Sequence, residues 1–443
     1  MKRILIKDTV NSVGDSIKVS GWVNVVRAHG KILFVDLRDI SGMLQVVFTP
    51  DNENVYKLAK ELRGEWVVEI IGKINKRPEK MVNPKIETGK IEMQAEDIKI
   101  LSEAETSPIP ISEEGVEEAD LDKRMDWRWL DLRKSEKRMI FEVWTTMEKA
   151  FIDYCVKNNF IEIHSPKTLV TSTESGSELF EIKYFGKKAF LAQSPQLYKQ
   201  MAMAAGFEKV FEIGPVFRAN PSFTSRHDTE FTMYDVEISF IESHHDLMAI
   251  EEEMMQSMLK EIKEKHGDKI KRYFNTDVVI PKIPFPKLTL SEAKSILKKL
   301  KIPNERGDDL SPEEERAICD YIKEKEGHEF VFIHEWPAKV RAFYSMRMES
   351  DPKITKAFDL LYKGLEITSG AQREHRYKQL AKQIKEQGLP LKPFESYLSF
   401  FKYGCPPHGG FAPGPSRMLM KILNLQNVRE VTYLYRGVKR LTP

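Results

Sequence analysis

Between residues 16 and 101 apolar and polar positions alternate with a period of two through five short stretches: IKVSGWVNVVR, KILFVDLRD, MLQVVF, WVVEIIGKINK and IEMQAEDIKIL. That period is the mark of half-buried strands. A helical stretch around Asn54–Leu62 separates the third from the fourth. Three strands, a helix and two strands is the order of a five-stranded OB-fold β-barrel. Past residue 134 the period changes to 3.6. Ile140, Val143, Trp144, Met147, Phe151, Tyr154 and Cys155 line one face of a helix that Ser135 can cap. A strand, FIEIH, follows and stops at Pro166. Strand-like runs (FLAQSP, VFEIGPVFR, FTMYDVEISFI, FVFIHEW, AFDLLYKGLEI) then alternate with helices, one carrying Tyr198 and Lys199 and another spanning about 245–265. Long antiparallel strands with segregated helices predict an α+β domain. Between the two patterns, the proline- and acid-rich segment SPIPISEEGVEEADLDK reads as a hinge. The chain therefore divides into a barrel over 1–104, a linker over 105–134, and an α+β domain over 135–443, built on an antiparallel sheet flanked by helices.

A chain of 443 residues has material for two or three domains. With 69 basic against 67 acidic residues, any nucleic-acid contact must come from local patches. Three cysteines without CxxC spacing argue against a zinc or disulfide frame and for a reducing compartment. There is no signal-peptide h-region at MKRILIKDTV, and no apolar run approaches the roughly 18 residues of a membrane span. These features predict a cytoplasmic protein without a membrane partner. The standard phosphate loops, GxxxxGK[ST] and GxGxxG, are absent.

Chemistry concentrates in four segments. In FEIGPVFRANPSFTSRHDTEFTMYDVE, two strands flank a polar loop. Arg218, Arg226 and His227 are placed to meet phosphates, and Phe231 can stack on a base, with Asp235 on the returning strand. The bland alternative is a charged surface hairpin. QSPQLYKQ offers Ser194, Gln196 and Lys199 to the polar groups of an amino acid. GLEITSGAQREHR places Glu366 and Ser369 about 10 Å apart along a strand. Both are hard oxygen ligands suited to Mg²⁺ on a phosphate, and Arg373 beside them can hold a carboxylate. HGGFAPGPSRMLMKIL is a glycine-rich turn entering a helix, with Arg417 adding a cation at its positive end. On the barrel, Arg27, Phe34, Gln45 and Glu92 are candidates for a single-stranded nucleic-acid face.

Over essentially its full length the chain resembles the archaeal-type aspartyl-tRNA synthetases, a class II (subclass b) family. The first class II motif matches the long helix and the strand ending at Pro166. The second matches FRANPSFTSRHDTEF, with Arg218, His227, Glu230 and Phe231 in place. The third matches GGFAPGPSRMLM, with Gly414 and Arg417. The resemblance implies a class II synthetase catalytic domain behind an anticodon-binding barrel. It implies ATP and Mg²⁺ as cofactors, L-aspartate and tRNA-Asp as substrates, and a homodimer formed through the first motif. It assigns catalysis to Arg218, Glu366 and Arg417. Aspartate is given to Glu174 (in a closing loop), Ser194, Gln196, Lys199, Arg218, Asp235, Ser369 and Arg373. ATP falls to Arg218, Asn220, Arg226, His227, Asp228, Phe231, Glu366, Gly414 and Arg417, Mg²⁺ to Glu366 and Ser369, and the anticodon to Arg27, His29, Phe34, Gln45 and Glu92. His29 leaves tRNA-Asn open as a second acceptor, since relatives accepting both tRNAs often carry histidine there. The lysine of SPQLYKQ favours aspartate over asparagine. The sequence departs from the family at Asn220, usually glutamate, at the APGPSR segment, and at Gly437, usually an acid. These departures motivate a non-catalytic tRNA-binding paralogue as an alternative. Further alternatives are an asparaginyl-tRNA synthetase and an aspartate-dependent asparagine synthetase.

Overall fold

The computed structural model describes residues 1–111, 117–170, 179–221 and 224–443, and it divides into two compact units, Met1–Ser135 and Glu136–Pro443. In the first unit, β1 (Ser16–His29), β2 (Ile32–Asp39), β3 (Gly42–Phe48), β4 (Val67–Lys76) and β5 (Ile91–Ser102) close into a barrel of order β1-β2-β3-β5-β4. Helix α1 (Glu53–Glu61) joins β3 to β4, as the sequence predicts. β1 is long enough to pair with β4 through its first half and with β2 through its second, bending at a bulge between Val23 and Val25. Parallel pairing of β3 with β5 closes the barrel. Inward positions such as Val19, Val23, Val35, Leu37, Leu44, Val46, Ile70 and Met93 form its dry core. Gly21 has no room for a side chain, because a Cβ there would lie 2.2 Å from the Arg38 carbonyl oxygen.

The part of the segment read as a linker that runs from residue 117 to 134 is folded. It carries α2 (Leu121–Asp126) and α3 (Arg128–Asp131). Arg133 closes on the barrel through Glu65 at 2.7 Å and over the Trp22 ring. Asp120 caps α2 by accepting from the Lys123 N–H, a local signal masked in the sequence by the surrounding acidic run.

The second unit begins with α4 (Ser135–Lys157), followed by β6 (Ile161–Glu162), β7 (Thr168–Leu169), β8 (Glu181–Tyr184), β9 (Lys187–Leu191), α5 (Gln196–Ala204), β10 (Lys209–Phe217), β11 (Glu230–Ser239) and α6 (His244–Phe274). Next come β12 (Lys287–Thr289), α7 (Leu290–Lys299), α8 (Pro312–Glu326), β13 (Phe330–His334), β14 (Ala357–Tyr362), β15 (Leu365–Gln372), α9 (Tyr377–Glu386), α10 (Glu395–Phe400), β16 (His408–Pro413), α11 (Pro415–Ile422) and α12 (Val428–Val431). The main sheet has the order β12-β13-β14-β15-β16-β11-β10-β6. Its inner pairings are antiparallel, and its two outermost, β12 with β13 and β6 with β10, are parallel.

Strand alternation decides which face does what. On β11, Tyr234 faces α4, stacking on Phe151 at 4.6 Å and donating to Glu148. Phe231, Met233 and Asp235 alternate with it and line the opposite cavity. α6 runs nine residues beyond the predicted end. The His266–Gly267 pair reads as a stop, but the helix continues through Gly267 and ends only at Asn275, in the left-handed conformation at φ +48°.

Candidate active site

The pocket-facing ends of β10, β11, β15 and β16 and the starts of α5 and α11 enclose a cavity of about 780 Å³. Ser194, Gln196, Lys199, Arg218, Asn220, Arg226, His227, Asp228, Phe231, Asp235, Glu366, Ser369, Arg373, Gly414 and Arg417 all line it. Segments spread over more than 200 positions of sequence thus converge on one hollow. Glu174 lies outside the described residues.

At the floor sits a buried quartet of charges. Lys199 Nζ contacts Asp235 Oδ1 at 3.0 Å and Glu237 Oε2 at 3.3 Å, and Arg373 Nε contacts Glu237 Oε1 at 3.1 Å. All four are at most 5% exposed. Lys199 and Arg373, expected to meet a substrate carboxylate, thus each already hold a protein anion as well. Glu237, which sequence reasoning missed, joins them. Burial alone would raise its pKa, but Arg373 and Lys199 outweigh that and hold the carboxyl below its usual range. The signal was present: Asp235 and Glu237 are two apart on a strand and therefore share a face.

Gly410, paired with Glu237 across the sheet, makes the quartet possible. A Cβ there would lie 2.0 Å from the Val236 carbonyl oxygen and 2.2 Å from Glu237 Oε2. Gly410→Ala is expected to cost about 1–3 kcal/mol or more, since backbone must move to relieve it. Urea unfolding of the variant measures the loss.

Beneath Lys199 lies a hydrogen-bonded chain. Gln196 Nε2 donates to Gln200 Oε1, which also accepts from the Tyr397 hydroxyl, and Gln200 Nε2 lies 2.9 Å from His408 Nε2. His408 Nδ1 lies 2.8 Å from the Pro406 carbonyl. A neutral ring protonated on Nδ1 satisfies both contacts. Burial, with Arg373 nearby, lowers the His408 pKa to about 4. The unfolded ring titrates near 6.5, so it binds a proton between pH 6.5 and 4 that the native ring refuses. Stability from this group is complete above pH 6.5 and falls as the pH drops towards 4. The stability difference between wild type and His408→Gln should therefore shrink by about 3 kcal/mol from pH 7 to pH 4. Denaturation at a series of pH values reads it directly.

The upper cavity is cationic. Arg218 follows β10, its N–H bonded to the Thr229 carbonyl, and its guanidinium lies 5.4 Å from the Phe231 ring centre. Arg226 pairs with Glu315 at 2.9 Å, and the Glu315 carboxylate also accepts from the Glu366 N–H. Arg417 donates to the Glu366 carbonyl at 3.0 Å. His227 is not a fourth cation. Burial, then Arg417 and Arg226, lower its pKa to about 4, so the ring is neutral at neutral pH. Asp228, mostly buried, is pushed up to about 7 despite Arg417. Ser369 accepts from Arg341 at 3.2 Å, and Arg341 makes a close ion pair with Asp359, Ser369's partner across the sheet. Glu315 and Arg341 went unrecognised because one reads as a solvated helical turn and the other lies in a loop without a motif. Glu366 and Ser369 are oxygen ligands facing a hollow lined by arginines, a donor set that fits Mg²⁺ shared with phosphate.

Two of the three departures from the family pattern fit the backbone. Gly414 is the N-cap of α11 and Pro415 its first residue, where proline forfeits no hydrogen bond. Ala412 lies in β16 opposite Ser369, at ordinary negative φ. At Gly437 a Cβ would lie 2.2 Å from the Tyr435 hydroxyl, the group that donates to the His227 carbonyl. Glycine there leaves room for a tyrosine that tethers the phosphate-facing loop. Asn220 lies on the cavity wall.

On the barrel, Phe34 points outward rather than into the core, between inward Leu33 and Val35. It is the cross-strand partner of Arg27. Arg27 makes two hydrogen bonds with Asp36, at 2.7 and 2.8 Å, and Gln45 donates to Glu92 at 3.0 Å. Arg77 approaches Glu92 at 3.6 Å. Exposed His29 ends β1 at the Gly30–Lys31 turn. The five predicted residues thus fall on neighbouring strands of one barrel, where Asp36 holds Arg27 and Arg77 approaches Glu92.

This closed barrel and this antiparallel sheet with its arginine-lined hollow define a class of enzymes. Residues 120–436 match the class II tRNA synthetases (D, K and N), residues 17–101 match an OB-fold nucleic-acid-binding domain, and the chain belongs to that synthetase family. It is 42% identical to the aspartate–tRNA(Asp) ligase of Pyrococcus furiosus over 97% of both chains. To the aspartate–tRNA(Asp/Asn) ligase of Aeropyrum pernix it is 41% identical, over 99% of this chain and 98% of the relative. Among solved structures, the Pyrococcus horikoshii asparaginyl-tRNA synthetase complexed with asparaginyl-adenylate matches with a TM-score of 0.90 at 30% identity, covering both chains fully. A putative aspartyl-tRNA synthetase from Leishmania major matches at 0.87 and 26% identity, covering all of this chain and 95% of that one. Among the described residues, no helix is long and apolar enough to cross a membrane.

Proposed function

We propose that this chain activates L-aspartate with ATP and transfers it to tRNA-Asp. The observation that carries this reading is the floor of the cavity. Two cations (Lys199, Arg373) balance two anions (Asp235, Glu237) there, and Arg218 in the upper cavity adds a third cation. The surplus is one positive charge, which complements the single net negative charge of zwitterionic aspartate. Asparagine, with no net charge, would leave it unmatched.

In the first step a carboxylate oxygen of aspartate attacks the α-phosphorus of ATP. The bond to the bridging oxygen breaks, and pyrophosphate leaves. Arg218 neutralises charge on the carboxylate and α-phosphate, Arg226 and neutral His227 meet the distal phosphates, and Phe231 with Arg417 encloses adenine. Glu366 and Ser369 would hold Mg²⁺, which supplies charge neutralisation on the phosphates. The side-chain carboxylate sits against Lys199 and Arg373, and Asp235 takes the ammonium. In the second step a hydroxyl oxygen of the terminal ribose attacks the acyl carbon, and AMP leaves. Positioning and charge neutralisation carry both steps.

The barrel face around Arg27, Phe34, Gln45 and Glu92 would hold the anticodon, His29 would bear on the choice between tRNA-Asp and tRNA-Asn, and α4 would supply a homodimer contact in the cytoplasm. Relatives of both tRNA specificities stand at nearly equal identity, so the acceptor range is read by experiment. Purified protein should catalyse ATP–pyrophosphate exchange that depends on aspartate and not on asparagine. Exchange with both, or with neither in folded protein, contradicts the reading. Charging of purified tRNA-Asn far below that of tRNA-Asp assigns a single acceptor.

A further inference from the structure

Three imidazoles converge on the sheet face covered by α6. His244 and His245 open that helix, and His334 ends β13. Neighbouring helix residues ordinarily point about 100° apart, yet the rings of His244 and His245 lie only 4.2 Å apart. His334 lies 5.6 and 5.3 Å from them. One nitrogen from each ring falls within 4.8 Å of the others.

The second observation concerns burial. His244 is 3% exposed, and neither of its ring nitrogens has a hydrogen-bond partner. The Nδ1 of His334, itself 8% exposed, also lacks one, with Glu335 Oε1 3.6 Å away. Buried polar atoms are rarely left this way, and an ion is a standard reason when they are. The cluster is separate from the nucleotide cavity. Ile333, next to His334, turns into the core beneath α7 and α8 together with Ala357, a cavity-lining residue. His334 turns the other way, towards α6.

We propose that His244, His245 and His334 form a three-nitrogen site for a late first-row divalent cation, with Zn²⁺ as the expected occupant. Imidazole nitrogens suit such ions, whereas Mg²⁺ and Ca²⁺ require oxygen ligands. At a Zn–N distance of about 2.0–2.1 Å, tetrahedral ligands sit roughly 3.3 Å apart, so the rings need close by only about 1.5 Å. Exposed His245 leaves the fourth position open to water. Of the charged groups around the cluster, Glu335, Glu292 and Asp246 attract a cation. Asp246 also completes the capping box at the positive end of α6, offsetting the helix dipole there. Lys287 and Lys356 oppose it, though Lys287 is paired with Glu252 at 2.9 Å. A bound ion would tie the first turn of α6 to a strand end about 90 residues away in sequence, and so act as a structural clip.

The test uses tag-free full-length protein, stripped with chelator and then saturated with Mg²⁺ to occupy the oxygen ligands of the cavity. Calorimetric titration with ZnCl₂ should show one tight equivalent, and the melting temperature should rise by a few degrees. Co²⁺ in its place should give the absorption of a tetrahedral nitrogen-ligated ion. His245→Ala, at an exposed position that folding tolerates, should weaken Zn²⁺ at least about 10–100-fold. Aspartate-dependent pyrophosphate exchange should be unchanged in that variant. Wild-type protein indifferent to Zn²⁺, or a His245→Ala variant with wild-type stoichiometry and affinity, overturns the proposal.

Discussion

Glu237→Ala is expected to lower the stability of the catalytic unit by about 3–5 kcal/mol, the usual cost of removing one partner from a buried charge pair. Glu237 touches Lys199 and Arg373 at once, so its loss removes the carboxylate that joins them and leaves Asp235 against Lys199 alone of the two. The methylene gap adds to the cost. Urea unfolding of wild type and variant measures it. Glu237→Gln separates folding from function, because the amide preserves shape and can still accept from Arg373. Its fold should survive in larger part, while the KM for aspartate should rise more than the KM for ATP. Equal stability of Glu237→Ala and wild type would show that the quartet contributes nothing to the folded state.

Arg218→Ala is the second large effect, and it runs the other way: activity collapses while the fold holds. Arg218 is only partly buried, and its protein contacts are the 3.3 Å bond to the Gln193 carbonyl, a long contact to Met233 and the Phe231 ring. Little stability depends on them. Removing a preorganised cation from the site of developing charge should reduce kcat/KM for aspartate-dependent pyrophosphate exchange by about 10²–10³-fold. The melting temperature should move by no more than a degree or two. A variant that keeps more than a tenth of the exchange rate would remove Arg218 from its assigned role.

The barrel was legible in the sequence down to the helix between its third and fourth strands, because its faces separate core from solvent cleanly and period two survives. The long helix was legible for the same reason at period 3.6. The far end of α6 was not, since a glycine that usually stops a helix sits inside this one. In the cavity, the residues on motifs were legible and their partners were not. Lys199 stands out because the residues after it, QMAMAA, are mostly apolar, and Arg373 because it follows Glu366 and Ser369 in one short segment. Glu315 hides in a run of glutamates, and Arg341 in a loop whose position depends on how β13 and β14 pair. Glu237 could have been found by counting two residues from Asp235. The neutrality of His227 lay beyond reach, because it arises from burial in the folded cavity and then from the nearness of Arg417, 190 positions downstream.

The paired side chains on the barrel face carry a consequence for how RNA would be chosen. With Arg27 already bonded to Asp36 and Gln45 to Glu92, an incoming base edge would compete with an existing partner. A correct base replaces like with like and breaks even, whereas a wrong one exposes an orphaned carboxylate. Recognition would then proceed by exchange, and its strength would lie in refusing mismatches. The dependence of tRNA binding on salt should accordingly be shallower than a count of basic side chains on this face suggests.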